Sequence, residues 1–342
     1  MHGAQPTPDP FFIVGTERSG SNLLRLMLNA HPDVHIPHPP HVMHLLGPLE
    51  GRFGPPGAPA TLERAAAAVA ALVAHHIHPW AIQPDVGRLI AEASPPDLLG
   101  LTLALYEQSR EHAKKARWGC KSTFMIDQVD AVLRARPGAR FIWLVRDARD
   151  VAVSSRDSVF NPKHPLLVAR LWARQQRQGL SLEARHPGAV YRLRYEDLTR
   201  APEAAMRPLC AFLGLPWSDA VLRHADTPEA STIASLSGSW KNNDKAVLAD
   251  NQGKWRLRLP RRDAARIVAV AEGELRALGY PILAEDCGYT LGALDELQAT
   301  LGEAAGRLRV ELKSMKEDKN HWRRWRRRAH LWRLERALQE PG

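Results

Sequence analysis

At 342 residues the chain is long enough for one large α/β domain plus an appendage, and its 44% hydrophobic and 25% charged content is ordinary for a globular protein. No run of about 18 apolar residues occurs, which excludes a membrane-spanning helix, and the first residues do not read as a signal peptide. The net charge is +10, yet eight basic residues between 319 and 338 face Glu335 alone, so the basic character is mostly a property of the tail. Three scattered cysteines, Cys120, Cys210 and Cys287, give no disulfide framework and lead to the expectation of a cytoplasmic protein.

Taken in order, Phe11 to Val14 read as a buried parallel strand. A loop with glycine corners at Gly15 and Gly20 follows, then a Leu-rich helix. Strand, tight loop and helix start form an anion cradle, in which backbone N–H groups and the positive helix end converge. Ser21 and Asn22 stand where a nucleotide triphosphate loop would carry Lys-Ser/Thr, and the loop cation is Arg18 instead, which argues against ordinary ATP or GTP hydrolysis.

Residues 35–60 are rich in Pro, His and Gly and are expected to form a long surface loop. Helices are expected over 61–76 and 98–116, a short strand ending at Trp118–Ser122, and a helix over about 126–136. Arg140 to Val145 read as a second buried strand leading into a helix through Ser155. Further helices are expected over 165–186, 202–213 and 262–278, a third strand at Ala189–Leu193, and a loop-rich lid over 227–260. The alternation predicts an α/β fold: a P-loop-like, mostly parallel sheet flanked by helices, with ligands at the strand C-termini.

Arg18, Lys121 and Arg146 each follow a strand, so three cations converge and point to an anionic ligand, most simply a nucleotide with two phosphate groups. The bland alternative for Arg146 is a pair with Asp147 or Asp150. His35, His38, His41 and His44 recur every third residue, a spacing that in a polyproline-like segment shares one face. A proline loop does not fix converging ligands, and no metal is expected.

These residues carry a resemblance. GTERSGSNLLRLMLNAHPDV, GCKS, FIWLVRDARDVAVSS, RYEDL and NQGKW occur in the order seen in sulfotransferases that use 3′-phosphoadenosine 5′-phosphosulfate (PAPS), and the chain is most similar to their tyrosylprotein-sulfotransferase-like branch over residues 11–283. The resemblance implies sulfuryl transfer from PAPS as co-substrate to a hydroxyl acceptor (carbohydrate, lipid, peptide or small molecule). It implies a 5′-phosphosulfate loop at Arg18, Ser19, Gly20, Ser21 and Asn22, and a 3′-phosphate pair at Arg146 and Ser154. It further implies Tyr195 at the adenine, Lys121 as a catalytic cation, Lys254 at the cofactor, and Ser239 near a second stabilising hydroxyl.

Two departures stand out. The family's Glu or His base falls here in Pro37-His38-Pro39-Pro40-His41, which has no carboxylate, so His38 and His41 are the candidates. The second Arg expected after Ser154 is replaced by Ser158, with Arg156 nearby.

Residues 1–285 are thus expected to form the catalytic domain, and 290–342 a separate basic, Trp-rich helical extension. In the latter, Leu297, Leu301, Ala304, Leu308, Met315, Trp322, Trp325, Ala329 and Trp332 follow coiled-coil spacing as one long helix. Such a tail suits docking on its own domain, a homo-oligomer, or contact with a membrane surface, and nucleic acid is not expected. The alternatives to a transferase are a nucleotide-dependent kinase on the same architecture and a catalytically inactive nucleotide-binding adaptor working through the tail.

Overall fold

The computed structural model describes residues 8–236, 240 and 242–339. Five strands, β1 (Phe11–Gly15), β2 (Val34–His35), β3 (Arg117–Cys120), β4 (Arg140–Val145) and β5 (Val190–Arg194), form one parallel sheet in the order β2-β3-β1-β4-β5. The apolar runs of β1 and β4 are continuous because both faces of the sheet are covered. Phe12, Val14, Phe141 and Trp143 join the core on one face, and Phe11, Ile13, Ile142 and Leu144 that on the other.

In chain order the α-helices are α1 (Ser21–Asn29), α2 (Val42–Leu46), α3 (Pro59–Ala74), α4 (Val86–Glu92), α5 (Leu98–His112), α6 (Val129–Ala135) and α7 (Ala148–Ser155). They continue as α8 (Pro165–Arg185), α9 (Tyr195–Arg200), α10 (Pro202–Leu213), α11 (Pro228–Leu236), α12 (Trp255–Arg258), α13 (Arg261–Ala277), α14 (Ala293–Glu317) and α15 (His321–Ala337). The α/β class and parallel sheet agree with the sequence reading.

Residues 35–60 depart from it. They carry α2 and a 3-10 turn at Gly47–Arg52, and Ile36, Val42, Leu46 and Phe53 are buried. With Leu49 these make five apolar anchors that draw the segment inward, so it is a wall of the fold rather than a surface loop. The lid region likewise holds α11, pinned where Glu229 pairs with the fully buried Arg25 at 2.5 Å.

The tail is two helices, not one. α14 stops at Asp318, whose carboxylate pairs with Arg324 of α15 at 2.7 Å, and the chain folds back. The Leu and Trp stripe stays largely in solvent, with Leu308 62% and Trp325 55% exposed. The side of α14 that docks is instead the small-residue row Ala299, Gly302, Gly306, Val310 and Ser314. A Cβ on Gly306 would sit 2.6 Å from Lys163 Cβ, so the missing side chain permits the approach. Glu303 accepts backbone N–H bonds from Lys163 (2.5 Å) and His164 (3.0 Å), placing a carboxylate at the positive start of α8. α15 then packs Leu331, Leu334 and Leu338 against the cluster formed by α2, α3 and α5.

Gly306→Val is expected to cost about 1–3 kcal/mol through this clash, read as a lowered Tm, whereas Ala305→Val on the exposed side should change Tm little.

Candidate active site

The β1–α1 loop is shaped by what it must clear. Gly15 has φ +137°, and a Cβ there would lie 2.4 Å from the Leu144 carbonyl oxygen. Gly20 has φ +93°, and a Cβ would lie 2.3 Å from the Tyr195 ring, so the loop lies directly on that tyrosine. Arg18 itself occupies the left-handed region at φ 72°. The loop is anchored where Gln176 donates to Thr16 Oγ1 (2.9 Å) and Asn161 donates to the Glu17 carbonyl (2.9 Å).

Beside it lies a cavity of about 870 Å³ at the carboxyl end of the sheet. Arg18, Gly20, Ser21, Asn22, Lys121 and Arg146 line it, and so do Ser154, Tyr195, Lys254, His38 and His41. Ser19 is fully buried beneath the loop, its Oγ without a partner. Ser239 lies outside the described residues. The sequence-selected positions on β1, β3, β4, α7 and β5 therefore meet around one space.

Arg146 is not tied up by the neighbouring aspartates. Asp147 takes both forks of Arg149 (2.9 and 2.7 Å), and Asp150 accepts the backbone N–H groups of Gly253 (2.6 Å) and Trp255 (2.9 Å). Arg146 donates to the carbonyls of Arg18 (3.1 Å) and Asn251 (2.9 Å), and its guanidinium lies 4.2 Å over the Tyr195 ring. Its Nε is buried without a partner. Arg18 Nε donates to Ser154 Oγ at 3.1 Å, which ties the β1–α1 loop to α7. Asn251 donates to Tyr195 Oη (2.6 Å) and accepts from Lys254 Nζ (2.7 Å). Burial, followed by the charge of Arg146, pushes Arg18 down to about 10, and burial pushes Lys121 down to about 8.

The histidine run does not share a face. His35 bonds Ser109 Oγ (2.8 Å), His38 Nδ1 meets His76 Nε2 (2.9 Å), His41 Nδ1 meets Ser122 Oγ (2.9 Å), and His44 stacks on Phe124. The segment turns at His41, where φ is 59°, and so leaves the polyproline path that equal spacing assumed. His38 and His41 are held well below the usual histidine range, first by burial and then by His76 and Lys121 respectively.

Several lining residues were missed. Asn251 and His76 come from segments remote in sequence, and Arg327 reaches in from α15. Glu17 sits in the loop beside Arg18 and also lines the cavity. It was legible as a carboxylate inside an anion cradle, an unlikely neighbour for a phosphate.

Comparison with known proteins decides the family. The profile of the Sulfotransferase family matches residues 10–219. The chain belongs to this family. It is a sulfotransferase, an enzyme that moves a sulfuryl group, and the kinase and adaptor alternatives are not favoured. It is 27% identical to protein-tyrosine sulfotransferase 1 of Danio rerio over 79% of this chain and 71% of that protein. The identity to the Homo sapiens protein-tyrosine sulfotransferase 1 is 26%, over 81% and 71%. The sulfotransferase domain of the Synechococcus olefin synthase shares the fold, with TM-score 0.54 and 22% identity over 83% of this chain and 99% of that domain. Among the described residues no helix is long and apolar enough to cross a membrane.

Asp150→Asn should loosen residues 251–255, because a carboxylate that accepts two N–H bonds is replaced by an amide. The expected outcome is faster hydrogen exchange at Gly253 and Trp255, with Tm lowered by a few degrees.

Proposed function

We propose that this sulfotransferase uses PAPS as its sulfuryl donor and a hydroxyl compound as acceptor, with the roles of individual residues as follows. The observation that carries the reading is the linkage of Arg18 to Ser154 and Arg146 beside one cavity, with the buried Arg146 resting on carbonyl oxygens. The residues suit the donor. Arg146 Nε and Ser19 Oγ are buried donors without partners, and neither Arg146 nor Lys121 has a carboxylate within ion-pairing distance among the described residues. Arg146 and Ser154 would hold the 3′-phosphate, Tyr195 the adenine, and Lys254 with Asn251 the outer edge. Arg18, Ser19, Gly20, Ser21 and Asn22 would surround the 5′-phosphosulfate.

When bound, PAPS supplies a sulfuryl group poised for in-line displacement by the acceptor oxygen. Arg18, Lys121 and the loop N–H groups neutralise charge where it grows on the departing phosphate side, which lowers the barrier without a metal. His38 and His41 each present only Nε2 for proton traffic, their Nδ1 atoms being engaged. Relatives named protein-tyrosine sulfotransferase support a phenolic hydroxyl as the acceptor group.

The deciding experiment is calorimetric binding of 3′,5′-adenosine bisphosphate (PAP) against ATP. Preference for ATP would overturn the donor assignment. Arg146→Ala is expected to weaken PAP roughly ten- to a hundredfold, as loss of a charged hydrogen bond implies, while adenosine 5′-phosphate loses much less. Equal losses would remove the 3′-phosphate role.

Arg18→Ala and Lys121→Ala should lower kcat about 10²–10³-fold, the range for losing one charge-stabilising donor, with smaller effects on PAP affinity. Lys121 is cationic below about 8 in the free protein, so kcat/KM should fall as pH rises through that value. Lys121→Arg should move that limb upward, because a guanidinium stays protonated.

A further inference from the structure

Burial has opposite consequences for the two kinds of base in this cavity. A histidine becomes charged when it takes a proton, so desolvation opposes the step. A carboxylate becomes neutral, so desolvation favours it. Both candidate histidines are deeply desolvated, and Lys121 adds its positive charge against each.

Glu17 is placed differently. It stands one residue before Arg18, its backbone is fixed by Asn161, and the structure gives its carboxylate no ion pair among the described residues. Four cations face it: Arg18 on its own loop, Lys121 after β3, Lys163 before α8, and Arg327 from α15. Burial nevertheless pushes its carboxyl above the usual glutamate range, and their charges only partly offset this. Once ionised, such a group is a stronger base than an ordinary surface glutamate. An anion cradle that carries its own carboxylate is otherwise working against itself.

We propose that Glu17 receives the proton of the acceptor hydroxyl, as a catalytic residue supplied by the phosphate-binding loop itself. This rests on the sulfuryl-transfer reading above. The acceptor O–H bond breaks, its proton goes to a Glu17 carboxylate oxygen, and an oxygen lone pair forms the new bond to sulfur. The bond between sulfur and the 5′-phosphate oxygen breaks, and its electron pair leaves on PAP. Arg327 of α15, with Nη1 buried and without a hydrogen-bond partner among the described residues, adds positive charge that favours the ionised carboxylate.

The test is Glu17→Gln with two phenols. N-acetyl-tyrosinamide must lose its proton during transfer, whereas 4-nitrophenol is already largely ionised in mildly alkaline buffer. Glu17→Gln should lower kcat with N-acetyl-tyrosinamide by roughly a hundredfold or more, with a much smaller loss for 4-nitrophenol. Glu17→Asp should recover part of the difference. The wild-type rate should rise with pH as Glu17 ionises, and that limb should flatten in the Gln variant. Tm should be equal or higher at pH 7–8, since a buried charge is removed. Equal losses with both phenols, or full activity with N-acetyl-tyrosinamide, would overturn the proposal. An acceptor-independent check is the carboxylate band in wild-type minus Glu17→Gln infrared spectra of PAP-bound protein. It should titrate above the ordinary glutamate range, and a midpoint within or below that range overturns the assignment. Failure of the wild type to bind PAP would instead sink the transferase reading.

Discussion

Arg146 is a buried cation with no counter-ion among the described residues, so it has to be steadied by neutral oxygen atoms, and that requirement organises this molecule. Two carbonyls and the face of Tyr195 hold the guanidinium, and Trp172 Nε1 donates to the Arg146 carbonyl from beneath. The arrangement survives because the adjacent aspartates are occupied elsewhere. Asp147 takes Arg149, which in turn lies 3.7 Å over Trp255, and Asp150 takes the backbone of the same 253–255 segment. One short stretch, Arg146 to Asp150, therefore sets a cation facing the cavity and pins the segment that closes over it. Positive charge is pre-organised before any ligand arrives, so little reorganisation is needed on binding.

The sheet was readable in the sequence because its central strands are buried on both faces and appear as unbroken apolar runs. The two-residue β2 was not, since Val34-His35 is too short to show any period. Residues 35–60 were misjudged because Pro, His and Gly dominate their composition while five spaced apolar anchors decide their position. Site residues were legible where they fall within three residues of a strand end, as Arg18, Lys121, Arg146 and Tyr195 do. Asn251, His76 and Arg327 carry no local sign, because nothing nearby in sequence shows what the fold brings opposite them.

The tail shows how two amphipathic patterns can share one helix. The Leu and Trp stripe has the greater apolar content, yet the structure docks the row of small residues. Ala299, Gly302 and Gly306 let the α14 backbone approach Lys163 and His164 closely enough for Glu303 to cap α8. Close approach and a charged cap outweigh side-chain bulk here, a preference that heptad spacing alone does not reveal. Fold-back at Asp318 then brings α15 to the cavity.

That placement divides the cavity by origin. Arg18, Lys121, Arg146, Ser154 and Tyr195 all lie within the 10–219 stretch that the family profile matches. Trp240, Lys254, Arg258, Val310, Ser314 and Arg327 line the same space from beyond it. The stretch that the family profile matches thus supplies the β1–α1 loop and the residues that follow β3, β4 and β5. Much of the remaining wall is built from segments outside the matched stretch, some of which the alignments with the protein-tyrosine sulfotransferases still cover, since those span 79–81% of the chain. Identity of 26–27% to the protein-tyrosine sulfotransferases supports the chemistry they share. Under the proposed phenolic acceptor, selection among such compounds then falls to the wall that Trp240, Val310 and Ser314 contribute to the cavity.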